Sequence, residues 1–244
     1  MTAARPDQFL ISGTFNFRDV GGARTSTGAT VRHGILLRSA QLSRLDENGL
    51  ATLVRLGVTD VHDLRGHAEI DFIGADQLPE SARLHVTPFD LSMGEAPPHE
   101  ARNAATALGH MLEVYRTFPA LPEAHDAIRA LTASVLTGTA LVHCAAGKDR
   151  TGWAVATLLR AVDVTEEDIY ADYLLSNDAV PVLRSFMSDE TNEELSEDLL
   201  GVKPEYLAAA TESMQAMYGG LDGYLAEIGL TPDTRERLRV RLVD

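Results

Sequence analysis

The residues of this chain best suited to covalent chemistry lie in one run of ten, residues 143–152, which reads His-Cys-Ala-Ala-Gly-Lys-Asp-Arg-Thr-Gly. The run contains the only cysteine of the chain, Cys144. A thiol becomes a strong nucleophile as its thiolate, which requires a local positive field. Arginine, lysine and the N-terminus of a helix that we predict over residues 149–162 would supply that field. We therefore expect Cys144 to be a nucleophile.

The spacing of Cys144 and Arg150 suits a tetrahedral phosphate group. Five intervening residues let the loop curl around the helix N-terminus, so that the planar guanidinium binds two phosphate oxygens while the sulfur faces phosphorus. Gly147 permits the backbone conformation that aims the loop N–H groups inward, and the Thr151 hydroxyl is placed to hydrogen-bond the sulfur. The expected substrate-binding residues are Ala145, Ala146, Gly147, Lys148, Asp149 and Arg150.

Other interpretations of this run fit less well. A lone cysteine is usually a small buried hydrophobic residue, but His143, Gly147 and Thr151 around it make coincidence a poor explanation. The phosphate-binding motif of ATPases needs Ser or Thr after Gly-Lys, and Asp149 stands there. Sulfur-transfer enzymes of the rhodanese type use a shorter loop. A module that only binds phosphorylated ligands is the non-enzyme alternative, although no part of the catalytic loop is missing.

The flanking segments predict the elements that position the loop. Apolar, β-prone stretches occur at residues 35–37, 58–64, 84–88 and 139–143, and helix-like segments at 46–56, 104–117 and 123–136. This alternation predicts an α/β fold with a mostly parallel central sheet and helices on both faces. Cys144 would then follow the carboxyl end of a strand, where such sheets bind ligands.

After residue 165 the pattern is helical. One helix is expected to bury a face made of Tyr206, Leu207, Ala210, Met214, Met217 and Tyr218. Residues 231–242 predict a closing helix, capped by Thr231 and with Pro232 in its first turn. No repeat or long linker divides the chain, so residues 1–244 are expected to form a single domain.

Residues 143–152 resemble the signature of the cysteine-dependent protein tyrosine phosphatase superfamily, and the Gly-Lys-Asp-Arg-Thr-Gly part resembles the bacterial protein tyrosine phosphatase B family. Further segments similar to that family are Asn16-Phe17-Arg18-Asp19, Leu37-Arg38-Ser39, Leu42-Ser43-Arg44-Leu45, Asp63-Leu64-Arg65, Ala171-Asp172-Tyr173-Leu174, Ser176-Asn177-Asp178, Gly201-Val202 and Glu205-Tyr206-Leu207. The resemblance implies a phosphatase that forms a phosphocysteine. Its implied substrates are phosphotyrosine, phosphoserine, phosphothreonine and phosphoinositides, with a phosphoinositide-selective lipid phosphatase as the alternative.

The resemblance also implies that an aspartate protonates the leaving oxygen. Asp149 is the first choice, because an acid at this place in the loop takes part in catalysis in the family. Asp90 is the alternative if its loop closes over the site. Asp63 is a further candidate, although we expect it to pair with an arginine such as Arg38 or Arg65. A helical lid is implied as well, and we place it at residues 180–219, a range that includes an acidic connection at residues 188–198.

Lys148 admits two interpretations. Its ammonium either widens the positive field for substrates with a second phosphate, or lies in solvent at the rim of the site. His143 is expected to orient the loop rather than bind a metal, because the eight histidines show no metal-ligand spacing. We therefore expect catalysis without a metal or other cofactor.

The composition limits the partners. A net charge of −15 disfavours nucleic acid and anionic membrane surfaces, so the expected partner is a phosphorylated protein or phosphoinositide. No apolar run is long enough to cross a bilayer, and the first residues lack the apolar core of a signal peptide. The sequence predicts a cytoplasmic protein, although the family resemblance implies that export without a recognisable signal also occurs.

Overall fold

A five-stranded sheet surrounded by helices forms the framework of residues 11–89, 104–188 and 197–244, which the computed structural model describes. The strands are β1 (Arg18–Asp19), β2 (Leu36–Ser39), β3 (Asp60–Asp63), β4 (Arg83–Val86) and β5 (Ala140–His143). The helices are α1 (Glu47–Arg55), α2 (His67–Ile73), α3 (Ala104–Thr117), α4 (Pro122–Thr137), α5 (Asp149–Ala161), α6 (Glu166–Leu174), α7 (Val180–Ser188), α8 (Glu197–Leu200), α9 (Pro204–Tyr218), α10 (Leu221–Glu227) and α11 (Pro232–Leu242).

The sheet is mostly parallel, as predicted. Its strand order is β1-β2-β5-β3-β4, in which β2, β5, β3 and β4 run parallel and only β1 is antiparallel to its neighbour. The predicted strand positions are confirmed, with ends shifted by up to two residues. The two-residue β1 was missed because it is too short to show an alternating pattern.

Helices cover both faces of the sheet, and the central strand β5 shows this most directly. Leu141 packs in one core cluster with Leu53 of α1, whereas Ala140 and Val142 pack in the larger cluster with α4 and α5. Successive side chains of a strand point to opposite faces, so β5 is buried from both sides. The fold class predicted from the sequence is therefore confirmed.

The C-terminal part is helical, but α9 is a core element. Its residues Tyr206, Leu207, Ala210 and Met214 are buried, as predicted, and they pack in the same cluster as α3 and α5. Met217 was wrongly placed on this face, because its side chain is 52% exposed. The part of the expected lid that α9 forms therefore packs in the main core, and displacing it would expose four buried side chains.

The acidic connection that the sequence predicts at residues 188–198 lies mostly outside the described ranges. The closing helix α11 is confirmed, with the Thr231 hydroxyl accepting from the Thr234 N–H over 3.2 Å and Pro232 in the first turn.

Among the helices of the described ranges, none has the length and apolar composition needed to cross a membrane.

Candidate active site

Cys144 lies directly after β5, where three parallel strands end together. Ser39 of β2 and Asp63 of β3 stand beside His143 in the strand register, so the loop starts between the ends of two neighbouring strands. The Cys144 side chain is only 2% exposed, and α5 begins at Asp149. The fold therefore puts the thiol between a strand end and a helix N-terminus, as the sequence predicts.

Gly147 gives the loop its shape. Its φ is +67°, and a Cβ atom built on it would lie 2.0 Å from the Ser39 carbonyl oxygen. Residues with a Cβ atom rarely adopt this φ. In addition, the Ser39 carbonyl could make room for a Cβ atom only if the backbone of β2 moved. Glycine is therefore required here for two separate reasons.

The carbonyl groups of the loop point outward and are held there. Asn16 Nδ2 donates to the oxygens of Ala146 and Gly147 over 2.9 and 3.0 Å, and an Arg38 N–H donates to the Gly147 oxygen over 2.8 Å. The Gln41 N–H binds the Ala145 oxygen over 3.1 Å. The C=O and N–H of a trans peptide group point in opposite directions. These bonds therefore also fix the direction of the loop N–H groups.

The N–H groups of residues 145–150 form no hydrogen bond with any group in the described parts of the chain. Unpaired donors at a helix N-terminus, next to the positive end of the helix dipole, are a binding site for an anion. This is the arrangement that the spacing of Cys144 and Arg150 predicted.

A buried ionic network holds Asn16 and Arg38, the side chains that donate to the loop carbonyls. Asp172 of α6 binds Arg18 Nε over 2.8 Å and Arg38 over 2.6 Å, and Arg18 in turn donates to the Asn16 side chain over 2.5 Å. Burial, followed by the charge of Arg38, lowers the pKa of Arg18 to about 10, so it stays charged at neutral pH. Burial acts to raise the pKa of Asp172, but the two arginines outweigh it and lower the value. The network thus fixes the loop from behind.

Arg150 is held by a carboxylate. Its two terminal nitrogens bind the two oxygens of Glu69 over 2.5 and 2.6 Å, and one of them also approaches the Leu64 oxygen at 3.3 Å. Glu69 also accepts the Gly66 N–H over 2.9 Å at the start of α2. Burial acts to raise the pKa of Glu69, but the bonds from Arg150 outweigh it, so the pair stays ionised. The guanidinium is therefore oriented before any substrate binds.

His143 lies between two acceptors. Its Nε2 is 2.8 Å from Asp76 Oδ2, and its Nδ1 is 3.2 Å from the Cys144 carbonyl oxygen. A ring with acceptors at both nitrogens has to donate from both, which only the imidazolium can do. Burial acts to lower the pKa of His143, but the Asp76 charge outweighs it and raises the value. The two acceptors and the raised pKa both favour the imidazolium form beside Cys144.

Asp63, Asp76 and His143 offer ligand atoms within 4.8 Å of one another, a spacing that a metal could use. Arg65 occupies this cluster instead, because its guanidinium binds Asp63 over 2.7 Å and Asp76 over 2.8 Å. The expected pairing of Asp63 with Arg65 is thus found, and both side chains are buried. Asp63 is thus engaged in an ion pair with Arg65, and it lies next to His143 in the strand register.

Asp149, the expected acid, is held at the first turn of α5. The Tyr115 hydroxyl donates to Oδ1 over 2.7 Å, and Lys148 Nζ lies 3.1 Å from Oδ2. The side chain is 21% exposed, so the carboxyl keeps access to solvent. The other expected acid, Asp90, lies outside the described residues.

Lys148 fits neither interpretation of its sequence position. Its ammonium donates to the carbonyl oxygens of Leu199 and Gly201 over 2.6 and 3.2 Å, besides its pair with Asp149. An ammonium has three protons, and here each has an acceptor. The side chain is 9% exposed, so it is neither a solvated rim residue nor free to bind a second phosphate in this conformation.

Thr151 differs from expectation as well. Its hydroxyl is buried and has no hydrogen-bond partner among the described residues, so it does not bind the Cys144 sulfur in this conformation. Three residues with clear functions escaped the sequence interpretation: Glu69, Asp76 and Tyr115. Each acts on the loop from a distant part of the chain, and only the Glu69 position near a helix start gave a local signal.

Thiol attack on a bound oxyanion is the chemistry of cysteine-dependent phosphatases, the class that this fold and loop define. A sequence profile described as tyrosine phosphatase family matches residues 9–244, and the chain belongs to that family. It is a protein tyrosine phosphatase, a hydrolase of phosphoric monoesters. The resemblance stated from the motifs is confirmed.

Relatives match along most of the chain. It is 37% identical over 272 aligned residues to the triple specificity protein phosphatase PtpB of Mycobacterium tuberculosis, covering 94% of this chain and 96% of the relative. It is 32% identical over 228 residues to a Cupriavidus necator protein named as a candidate tyrosine-protein phosphatase, covering 87% and 80%. Among solved structures, TpbA of P. aeruginosa is 17% identical with a TM-score of 0.39, covering 82% and 89%.

Proposed function

We propose that Cys144 is the nucleophile of a two-step phosphatase reaction. The thiolate attacks phosphorus in line, the bond between phosphorus and the leaving oxygen breaks, and a phosphocysteine forms. The N–H groups of residues 145–150 and the Arg150 guanidinium stabilise the three equatorial oxygens. The observation that carries this proposal is the row of unpaired N–H groups between the thiol and a preoriented arginine.

Asp149 is the proposed proton donor and acceptor. As an acid it gives a proton to the leaving oxygen, and as the resulting carboxylate it removes a proton from the water that hydrolyses the phosphocysteine. Its partial exposure at the helix start, next to Arg150 in the same loop, supports this role. The products are an alcohol or phenol and inorganic phosphate, and neither step calls on a cofactor.

The proposed substrates are phosphotyrosine, phosphoserine and phosphothreonine in proteins, together with phosphoinositides. The Mycobacterium tuberculosis relative is named a triple specificity phosphatase, which supports a broad range. Selectivity for phosphoinositides is the alternative. The three acceptors around Lys148 argue against it, since this cation is engaged before a second phosphate could bind.

The proposed lid is residues 180–219, within a single domain of residues 1–244. Leu183 of α7 packs beside Ala146 of the catalytic loop, in a small cluster with Phe15, Ala40 and Ala179. Among the described side chains of α7, Leu183 makes this apolar contact, whereas α9 places four side chains in the main core, so we expect α7 to move at a lower cost than α9. Movement of α7 would open the side of the loop next to Ala146.

The proposed setting is the cytoplasm, where reducing conditions keep Cys144 a thiol. The net charge of −15 supports phosphorylated proteins or phosphoinositides as partners rather than nucleic acid, which repels an acidic surface.

The proposal is tested by phosphate release from a phosphotyrosyl peptide in the presence of a metal chelator. Wild type should release phosphate and Cys144→Ser should not. Release that survives in Cys144→Ser would reject the cysteine mechanism. A wild type that releases nothing from the peptide or from a phosphoinositide would leave sulfur transfer or ligand binding as the function.

A further inference from the structure

Asp149 lies at the end of a chain of buried hydroxyl groups. Tyr115 of α3 donates to Asp149 Oδ1 over 2.7 Å, and the hydroxyl oxygens of Tyr115 and Tyr173 are 2.7 Å apart. A phenol has one proton, so Tyr115, which gives its proton to Asp149, has to accept one from Tyr173. The hydrogen bonds therefore run in one direction, from α6 through α3 to the first turn of α5.

Both oxygens of Asp149 have a partner, because Oδ1 accepts from Tyr115 over 2.7 Å and Oδ2 lies 3.1 Å from Lys148 Nζ. The two contacts together fix the plane of the carboxyl, and Tyr115 is the neutral partner. We propose that Tyr115 is a positioning residue that orients the Asp149 carboxyl for proton transfer, and that Tyr173 fixes the direction of the Tyr115 hydroxyl. The inference rests on the proposed role of Asp149 as the general acid and adds the residues that set its geometry.

Gly152 gives independent support for the chain. A Cβ atom at this position would lie 2.9 and 3.0 Å from two carbons of the Tyr173 ring. The φ of Gly152 is not in the positive range, so its backbone does not require glycine. The last glycine of the ten-residue run is therefore needed for close approach of Tyr173 to the start of α5.

The groups that face Asp149 come from four elements and the loop. They are Tyr115 of α3, Arg150 of α5, Tyr173 of α6, Tyr206 of α9 and Lys148 of the loop. Burial, followed by the charge of Asp149, raises the pKa values of Tyr115 and Tyr173 well above 10. Both phenols therefore stay protonated at neutral pH and act as fixed donors.

The experiment compares kcat/KM for two substrates, phenyl phosphate and a fluorinated aryl phosphate whose phenol is much more acidic. Only the poorer leaving group needs a well-placed acid. In Tyr115→Phe we expect kcat/KM for phenyl phosphate to fall by about tenfold or more, with a much smaller loss on the fluorinated substrate. Tyr173→Phe should show the same selectivity with a smaller loss, because Tyr115 still donates to Asp149.

Tyr206→Phe is the matched control. Tyr206 is also buried, and its ring lies 5.5 Å from that of Tyr115, but its hydroxyl donates to the Asp198 carbonyl instead of Asp149. This variant should keep the wild-type ratio between the two substrates. Equal losses on both substrates in Tyr115→Phe, or no loss at all, would overturn the inference. A wild type without Cys144-dependent activity would instead refute the proposed function.

Discussion

The two halves of the catalytic loop are held by different kinds of interaction. On the arginine side, His143 is fixed by the buried carboxylate of Asp76 and Arg150 by the partly exposed carboxylate of Glu69. On the acid side, Asp149 accepts from a neutral tyrosine hydroxyl and pairs with Lys148, whose other partners are two backbone carbonyls near α8. Charged, hydrogen-bonded pairs are strong and directional, whereas a lysine bound to carbonyls is more easily exchanged.

This difference matches what each half has to do. Arg150 is proposed to bind the same phosphoryl oxygens through both chemical steps, so a fixed guanidinium gives preorganised stabilisation of charge. Asp149 is proposed to give up a proton and then take one back, which requires a carboxyl that stays in contact with solvent. In this proposal a rigid oxyanion site lies beside a proton-transfer site that stays in contact with solvent.

The largest expected effect comes from the glycine shared by both halves. Gly147→Ala would put a methyl group against the Ser39 carbonyl, which adds about 1–3 kcal/mol of overpacking to the cost of a positive φ and moves the N–H groups. We expect activity to be lost and the free energy of unfolding to fall. Gly57→Ala is the control, because its φ of +71° is similar but nothing lies within 4 Å of the new Cβ. Equal destabilisation of both variants in denaturant titrations would contradict the clash.

Loss of the carboxylate that holds Arg150 should have the next largest effect. Glu69→Gln keeps the shape but removes the charge and half of the bidentate pair. We expect kcat/KM to fall by about tenfold or more on both the phenyl and the fluorinated substrate alike, since oxyanion binding does not depend on the leaving group. The exposed ion pair of Glu113 with Arg116 offers a control, Glu113→Gln, which should leave kcat/KM unchanged. A loss confined to phenyl phosphate would contradict this, because it would mean that Glu69 acts on protonation of the leaving group and not on oxyanion binding.

On the acid side, Lys148→Met should loosen residues 199–201. The variant keeps the length of the side chain but leaves the carbonyls of Leu199 and Gly201 without their donor. We expect faster amide hydrogen exchange in the segment from α8 to the start of α9, with unchanged exchange in α4. Exchange rates equal to wild type in that segment would show that Lys148 does not hold it.

The smallest effect concerns the pH dependence of stability. The raised pKa of His143 means that the folded state binds its proton more tightly than the unfolded state, whose value is about 6.5. Its stabilising contribution is complete below about pH 6.5 and is lost as the pH rises through the folded value. In thermal unfolding, the difference between wild type and His143→Gln should therefore shrink from pH 6 to alkaline pH. A difference that grows with pH would contradict the imidazolium.

The sequence predicted the fold and the loop because both depend on local patterns. The apolar run before Cys144 and the helix after it mark the strand and the helix between which the thiol lies. The partners of the loop could not be predicted in the same way. Glu69 is 81 positions from Arg150, and Lys148 reaches a carbonyl 51 positions away, so no local spacing reveals either contact.

The motifs that resemble the family could be recognised in the sequence, but their contacts could not be predicted from it. Asn16 and Asp172 were noted as similar residues with no assigned function, and Arg38 only as a possible partner of Asp63. The structure joins the three into one network behind the loop. Their chemistry alone did not indicate this, because a buried arginine and a distant aspartate pair only once the sheet and α6 are in place. Tyr115 gave no signal at all, since one tyrosine within a helical pattern is usually a core residue.

The most direct test of the account is to trap its covalent intermediate. A phosphotyrosyl peptide is mixed with the protein, the reaction is stopped in acid within milliseconds, and the digested chain is examined by mass spectrometry. The account predicts one phosphoryl group on the fragment that contains Cys144, and none in the Cys144→Ser variant. Phosphate released at the wild-type rate with no phosphoryl group ever found on that fragment, or with the group on another residue, would contradict it.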